Sequence, residues 1–208
     1  MLLKGENISF RYNKGPQVLN NISISIEAGE IVGLLGPSGC GKTTLGRLLA
    51  GYEAPDKGVV TIGGKPLPKS GYNPVQLIFQ HPERAINPRW QLGKTLNEAW
   101  QPPGGLLSAL GIEEQWLTRW PNELSGGELQ RFCVARALGP QTKFIIADEM
   151  TTMLDAITQA QLWQVVLDIV KQRKIGMVVI SHEAHLVKRL CNRVVDFKKI
   201  NPPNLFLV

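Results

Sequence analysis

Gly36-Pro37-Ser38-Gly39-Cys40-Gly41-Lys42-Thr43 fits G-x-x-x-x-G-K-[ST], the pattern of a loop that cradles phosphate groups. Its flanks supply the context the pattern needs. Ile31-Val32-Gly33-Leu34-Leu35 reads as a short buried strand, and Thr44 to Ala50 as a helix ended by Gly51. Glycines let successive backbone N–H groups converge on an anion without side chains in the way. The helix N-terminus adds partial positive charge at the same point. Lys42 is placed to reach the β- and γ-phosphates of a nucleoside triphosphate, and the Thr43 hydroxyl to ligate Mg2+. A glycine-rich turn that binds nothing is the bland reading, and the flanks argue against it.

Two further clusters carry chemistry. Asp148-Glu149 follows the apolar run Phe144-Ile145-Ile146-Ala147. An open α/β sheet presents its ligands at the C-terminal ends of such strands. Asp148 would hold Mg2+ directly or through water, and Glu149 would act as general base toward an attacking water. Leu124-Ser125-Gly126-Gly127-Glu128-Leu129-Gln130-Arg131 is the second cluster, a serine and two glycines opening a helix whose apolar face is visible at Leu129, Phe132, Cys133 and Ala137. It reads either as an ordinary N-cap with flexible glycines or as a second anion-binding helix N-terminus. One nucleotide does not need two such sites in one chain. A head-to-tail dimer uses both, with each nucleotide between the phosphate loop of one subunit and Ser125-Gly126-Gly127 of the other.

Composition sets wide limits. The 208 residues suit one compact domain, and at that size a core needs no staples. A net charge of +6 fits either a nucleic-acid partner or a place beside anionic lipid. No basic run is interleaved with aromatics, so no nucleic-acid partner is expected. Cys40, Cys133 and Cys191 form no C-x-x-C pair, and free thiols in a reducing compartment are expected. No apolar run approaches the ~18–20 residues needed to span a bilayer, and the N-terminus lacks a signal-peptide pattern. A soluble chain, attached to a membrane only through a partner, is the expectation. His182-Glu183-Ala184-His185 hints at a metal site, but H-E-x-x-H requires histidines at i and i+4, and these stand at i and i+3.

Along the chain, Leu2 to Ile26 suggests strands, with Ile22, Ile24 and Ile26 alternating with Ser23 and Ser25. Val59 to Ile62, Val75 to Phe79, Met177 to Ile180 and Val194 to Phe197 read as further strands. A helix runs from Ala156 to about Lys174. The section from His81 to Glu123 is rich in Trp, Pro and Asn, with helices predicted over Leu92–Trp100, Leu106–Leu110 and Glu113–Trp120. Strands alternating with helices imply an α/β fold with a largely parallel sheet covered on both faces.

These motifs together resemble the ATP-binding subunits of ABC transporters, over essentially the whole chain. They occur in the family's order: the phosphate loop, Gln80 after an apolar strand, Leu124-Ser125-Gly126-Gly127-Glu128, Asp148-Glu149, Thr152-Met153-Leu154-Asp155, and Ser181-His182. The resemblance implies a P-loop NTPase (RecA-like) α/β core with an N-terminal antiparallel β subdomain and an inserted α-helical subdomain. In that scheme residues 1–80 and 135–208 form the core with its β subdomain, and 81–134 the helical signature subdomain.

The resemblance also implies site roles. Gln80 is like the loop glutamine that senses Mg2+ and the γ-phosphate and couples them to the membrane partner. His182 is like the switch histidine that contacts the γ-phosphate and holds the attacking water. Leu154-Asp155 is like the loop that crosses the dimer interface. Tyr12 is placed like the aromatic that stacks on adenine, with Phe10 close by. The implied nucleotide contacts are Tyr12, Gly36, Pro37, Ser38, Gly39, Cys40, Gly41, Lys42, Thr43, Thr44, Ser125, Gly126, Gly127, Glu128 and Asp155. Implied metal ligands are Thr43, Gln80 and Asp148, with Glu149, His182, Gln80 and Lys42 as the catalytic set. ATP and Mg2+ are the implied cofactors. Partners would be a second ABC ATPase subunit, identical or related, integral membrane permease subunits and, indirectly, a solute-binding protein. The place of action would be the cytoplasmic face of the cell membrane.

Phe79-Gln80-His81-Pro82 with Ala85-Ile86-Asn87-Pro88-Arg89 resembles, more narrowly, a segment of peptide- and nickel-uptake systems. So do the runs Leu129–Leu138 and Val187–Val194. Oligopeptides, dipeptides, nickel and metal–metallophore complexes are substrates of that group. Some positions depart from the family. Met150 stands where proline usually follows the Asp-Glu pair, and the expectation is a looser turn beside Glu149. His81 replaces a frequent aspartate, and Glu128 a frequent glutamine. The chain stops at Val208 where many relatives run on, so a C-terminal segment for extra dimer contacts is expected to be absent. Two rival readings remain at this point: a non-transport ABC ATPase acting in DNA repair or on ribosomes, and a regulatory subunit that holds ATP without hydrolysing it. The first usually needs tandem nucleotide domains or a long coiled coil. The intact Asp148, Glu149 and His182 oppose the second.

Overall fold

The computed structural model describes residues 1–202. Two sheets organise it. The first is antiparallel and joins β1 (Leu2–Arg11), β2 (Gln17–Glu27), β4 (Lys57–Ile62) and β5 (Lys65–Pro66) in the order β2-β1-β4-β5. The alternation in β2 explains its place. Ile22, Ile24 and Ile26 are buried, while Ser23 and Ser25 face out. The second sheet is parallel, in the order β6-β7-β8-β3-β9. It contains β3 (Ile31–Leu35), β6 (Val75–Ile78), β7 (Phe144–Asp148), β8 (Gly176–Ile180) and β9 (Arg193–Asp196).

Helices cover both faces of the parallel sheet, which is why β7 and β8 are buried at every position. Phe144, Ile146, Val178 and Ile180 pack on one side with Leu45, Leu48 and Leu49 of α1 (Lys42–Leu49) and with the antiparallel sheet. Gly46 permits that approach, since a Cβ there would lie 3.0 Å from both Ile146 and Ile180. Ile145, Ala147, Met177 and Val179 pack on the other side. Their partners are Phe132 and Cys133 of α4 (Gly126–Ala137) and Trp163, Val166 and Val170 of α5 (Ala156–Arg173).

Residues 81–125 form the helical segment. Its helices are short: α2 (Leu92–Leu96), α3 (Gly104–Ala109) and 3₁₀ stretches at Pro82–Arg84, Glu114–Thr118 and Pro121–Glu123. The helix predicted over Leu92–Trp100 therefore stops early. After the Asn97 cap, Trp100 turns its indole N–H onto the Arg136 carbonyl at 3.2 Å. Where a helix is predicted over Glu113–Trp120, the chain forms a 3₁₀ stretch at Glu114–Thr118, organised around the buried Trp116. The expected limit at residue 134 falls inside α4, which is unbroken to Ala137, so one helix belongs to both the insert and the layered core.

Parallel strands bring functional loops to one edge. The C-terminal ends of β3, β6, β7 and β8 lead into Gly36, Gln80, Glu149 and His182 respectively. After β8, α6 (Ala184–Leu190) returns the chain to β9, and α7 (Phe197–Ile200) follows directly.

Candidate functional site

The phosphate loop turns through two glycines in left-handed conformation, Gly39 at φ 76° and Gly41 at φ 106°. Gly41 is the N-cap of α1 and makes no side-chain capping bond, so Lys42 and Thr43 lie in the helix's first turn. The buried Lys42 ammonium donates to the carbonyls of Gly36 (2.7 Å) and Pro37 (2.8 Å). Cys40 is half-buried in the same loop, and all three cysteines are unpaired.

Thr43 and Asp148 meet although 105 residues separate them, the Thr43 hydroxyl donating to Asp148 Oδ1 at 3.0 Å. Burial pushes the Asp148 carboxyl above its ordinary pKa, the Thr43 hydrogen bond opposes that shift, and neighbouring Glu149 reinforces it. Glu149 joins two other loops. Its Oε2 accepts from Gln80 Nε2 at 2.8 Å, and its Oε1 lies 3.1 Å from Nδ1 of His182. A carboxylate only accepts, so Nδ1 carries the proton of that bond.

Glu149 itself sits at φ 47°, a conformation that costs a non-glycine residue about 1–3 kcal/mol. The surroundings hold it there. Its N–H donates to the Ile180 carbonyl at 3.0 Å, and its carbonyl accepts from the Thr152 hydroxyl at 3.1 Å. The looseness expected at Met150 is not what the turn shows. Met150 is buried in the apolar layer, and the next residue, Thr151, accepts from Gln159 Nε2 (2.8 Å) and Trp163 Nε1 (3.2 Å). Core packing and two hydrogen bonds do at this turn what a proline ring would do by fixing φ.

Lys42, Thr43, Gln80 and Glu149 line a cavity of about 390 Å³ together with Tyr12, Val18, Ser38, Gly39, Gly41 and Thr44. Tyr12 is partly exposed at its mouth, edge-on to Phe10, with its hydroxyl 3.3 Å from Thr44 Oγ1. Val18 is a wall residue that sequence reasoning missed. A valine in an edge strand carries no signal of such a role.

Ser125, Gly126, Gly127, Glu128 and Asp155 lie elsewhere and line none of this cavity. Ser125 caps α4 in a reciprocal box. Its hydroxyl oxygen accepts from the Glu128 N–H at 3.3 Å, while Glu128 Oε2 accepts from the Ser125 N–H (2.7 Å) and hydroxyl (2.8 Å). Those bonds hold the Glu128 carboxyl below its usual range. Asp155 caps α5 by accepting from the N–H groups of Ile157 and Thr158, both at 3.0 Å. The Met153–Leu154 loop packs on the α4 N-terminus. A Cβ on Gly126 would lie 2.8 Å from Met153 Sδ, and one on Gly127 equally close to Leu154 Cδ2. The predicted residues thus form two groups within one chain.

The separated groups are linked by Gln130, a fully buried side chain whose Nε2 donates to the Phe79 carbonyl at 3.1 Å. Gln130 was read only as part of a helical run.

The profile of the ABC transporter family matches residues 19–152. The nickel import system ATP-binding protein NikE of Staphylococcus aureus, in strains COL and MW2, is 38% identical over 214 aligned residues, covering 95% of this chain and 87% of the relative. Among solved structures, the ATP-binding cassette MJ0796, a dimer in a post-hydrolysis state with ADP and Pi, superposes with a TM-score of 0.80 at 25% identity, covering 93% of each chain. An ATP-binding subunit of another ABC transporter gives a TM-score of 0.78 at 20% identity, over 95% of this chain and 87% of that one. With a profile across most of its length and a relative aligned nearly end to end, the chain belongs to the ABC transporter family, as an ATP-binding cassette with ATPase activity coupled to transport.

Proposed function

We propose that this cassette pairs with a second one, identical or related, and that two ATP molecules held between them drive a membrane importer. The observation that carries this reading is the convergence of Gln80 and His182 on Glu149, beside the Thr43–Asp148 pair and the Lys42 loop. Each Glu149 oxygen accepts one hydrogen bond and keeps lone-pair capacity for water. Glu149 takes a proton as the water oxygen attacks the γ-phosphorus and the bond to the ADP oxygen breaks. His182 and Gln80 orient the carboxylate and the water. Lys42 and the loop amides stabilise the charge that builds on the transferred phosphoryl group.

Mg2+ fits the donor set. Thr43 and Asp148 bring hard oxygens within 3.0 Å of each other, and the side-chain oxygen of Gln80 is available nearby. When bound with ATP, an ion held by Thr43 and Asp148, with Gln80 beside them, would neutralise charge on the phosphates.

The second group completes the site from the opposite subunit: Ser125, with the N–H groups of Gly126 and Gly127, would meet the γ-phosphate, and Asp155 would lie at the seam. ATP touches both subunits in the closed form alone, so closure is a ligand-driven population shift. Among the described residues no helix is long and apolar enough to cross a membrane. Attachment to the cytoplasmic face therefore falls to permease subunits, docked on the helical segment 81–125. Nickel is the cargo favoured by the nickel-import relatives, and a metal chelate or a peptide rests on the narrower sequence resemblance alone. The permease and a solute-binding protein would choose among them.

The test is co-expression with candidate permease subunits in vesicles. ATP-dependent nickel or peptide uptake that vanishes with Lys42→Ala supports the reading. ATP hydrolysis without any stimulation by permease and cargo overturns the importer assignment.

A further inference from the structure

The geometry points to Asn201 as a positioning residue for the phosphate loop. It lies just after α7, 161 residues from Cys40, yet its side-chain amide donates to the Cys40 carbonyl at 3.1 Å and to the Val18 carbonyl at 2.9 Å. Its Oδ1 accepts from the Asn20 N–H at 3.2 Å. Three of the amide's hydrogen-bonding positions therefore join strand β2, the phosphate loop and the end of α7.

The sheet delivers it there. β9 pairs in parallel with β3, placing Asp196 opposite Leu35, the residue before the loop. Asp196 caps α7 by accepting from the Lys198 N–H at 3.1 Å. Phe197 is fully buried behind the loop, so close that a Cβ on Gly36 would lie 3.1 Å from its own Cβ. One turn later Asn201 reaches the Cys40 carbonyl, which directly precedes the Gly41 N-cap of α1.

That carbonyl controls an amide. In a planar trans peptide the C=O of one residue and the N–H of the next point in opposite directions. Holding the Cys40 carbonyl outward, toward Asn201, turns the Gly41 N–H toward the cavity that Gly39, Gly41 and Lys42 line. Glycine opposes rotation of this peptide less than any other residue would, because it populates either sign of φ. The clamp therefore sits at the point of the loop most free to turn over. Lys42 holds the carbonyls of Gly36 and Pro37, so three carbonyls of the loop are held by side chains, two by one lysine and one by one asparagine. Asn201 is not among the residues that line the cavity with Lys42 and Glu149. It acts through the loop's own backbone.

The inference rests on reading Gly36–Thr43 as the phosphate loop, and that reading has its own control: ATP must slow alkylation of Cys40 in the unaltered chain. With that control met, Asn201→Ala should raise the KM for ATP about fivefold to tenfold, the scale of one or two lost hydrogen bonds, with kcat within about twofold. Without nucleotide, the same substitution should speed iodoacetamide labelling of Cys40, because the loop opens more often. Asn201→Gln, which keeps the amide on a longer stem, should recover part of both effects, whereas Asn201→Asp sets a carboxylate against two carbonyls and should recover neither. If Asn201→Ala lowers the thermal midpoint but leaves both KM and Cys40 labelling as in the unaltered chain, the residue is merely structural and the proposal is wrong.

Discussion

The two glycine-flanked helix N-termini of this chain are built in opposite ways. At α1 the N-cap is Gly41, the first turn holds no acidic residue, and no side chain caps the helix. At α4 the N-cap is Ser125, the first turn carries Glu128, and a reciprocal box satisfies the end. Both ends point partial positive charge outward. One is left open for an anion, with Lys42, Asp148, Glu149 and His182 around it. The other is closed on itself, and an arriving phosphate must draw the Ser125 hydroxyl away from a carboxylate of its own sign. The difference assigns an order. On the proposed reading, the open end would take ATP first and carry the chemistry, and the closed end would engage second, from a partner subunit.

The largest expected effect tests that division. Glu149→Gln keeps the shape and loses the proton acceptor, so turnover should fall at least ~100-fold. ATP binding and ATP-dependent association should persist, because neither needs the base. Single-turnover hydrolysis alongside light scattering reads both. Turnover at the wild-type rate would move the chemistry away from the α1 side and break the comparison.

Asp148→Asn comes next and couples activity to stability in opposite senses. The folded-state pKa of Asp148 is raised, chiefly by burial. A raised carboxyl contributes stability below its unfolded pKa and loses it as pH climbs through the folded value. At neutral pH the charge is therefore a cost, and Asp148→Asn should raise the thermal midpoint, with each kcal/mol regained worth about 2–4 °C. The gain should vanish in acid, where the carboxyl is protonated in both states. Meanwhile the magnesium needed for half-maximal turnover should rise about 10- to 100-fold. A variant less stable at pH 7 than the parent would contradict the burial argument.

Those two residues were legible in the sequence, and the reason is physical. A strand covered on both faces reads as an unbroken apolar run, so Phe144–Ala147 announced β7 and fixed where Asp148 and Glu149 emerge. The same logic located β3 and β8. The helical segment was legible only as different in character. Helices of five or six residues, such as α2 and α3, are set by tertiary contacts rather than by periodicity. Helix α6 went unread because only Val187 among its seven residues is buried. Gln80 and His182 were assigned through family resemblance. Their meeting at Glu149 follows from parallel strands ending at one edge, which no local spacing reports. Asn201 and Gln130 act across 161 and 51 residues of chain, and nothing in their neighbours marks them.

At the α4 end, Glu128→Gln sharpens the comparison. Glutamine can keep the capping bonds and removes the charge that faces an incoming phosphate. ATP-dependent association should strengthen about fivefold, on the order of 1 kcal/mol for a partly screened like-charge contact. The unliganded fold should lose a little, because an acid in a first turn is favourable. The pKa of Glu128 is lowered by its bonds to Ser125. Its stabilisation is present above the unfolded carboxyl pKa and lost as pH falls through the lowered folded value, so parent and variant should converge in stability only once the pH is below that folded value. Unchanged association would mean that the carboxylate swings clear of the phosphate.

The smallest effect isolates what the box does without nucleotide. Ser125→Ala removes the hydroxyl that accepts from the Glu128 N–H, but leaves Glu128 able to accept from the backbone N–H of residue 125. Half the box survives, so the loss should be about 1 kcal/mol, typical of a serine cap, or about 2–4 °C in thermal midpoint. At α1 no side-chain cap exists to remove, and Gly41→Ser could not supply one. The position holds φ 106°, and a Cβ there would lie 2.8 Å from Leu19 Cδ2. The prediction is therefore asymmetric: shortening the α4 cap costs a little, while adding one at α1 costs more than it returns. If Gly41→Ser proved as stable as the parent and still bound ATP, the open end would be open by accident of sequence, and the order of engagement would lose its physical basis.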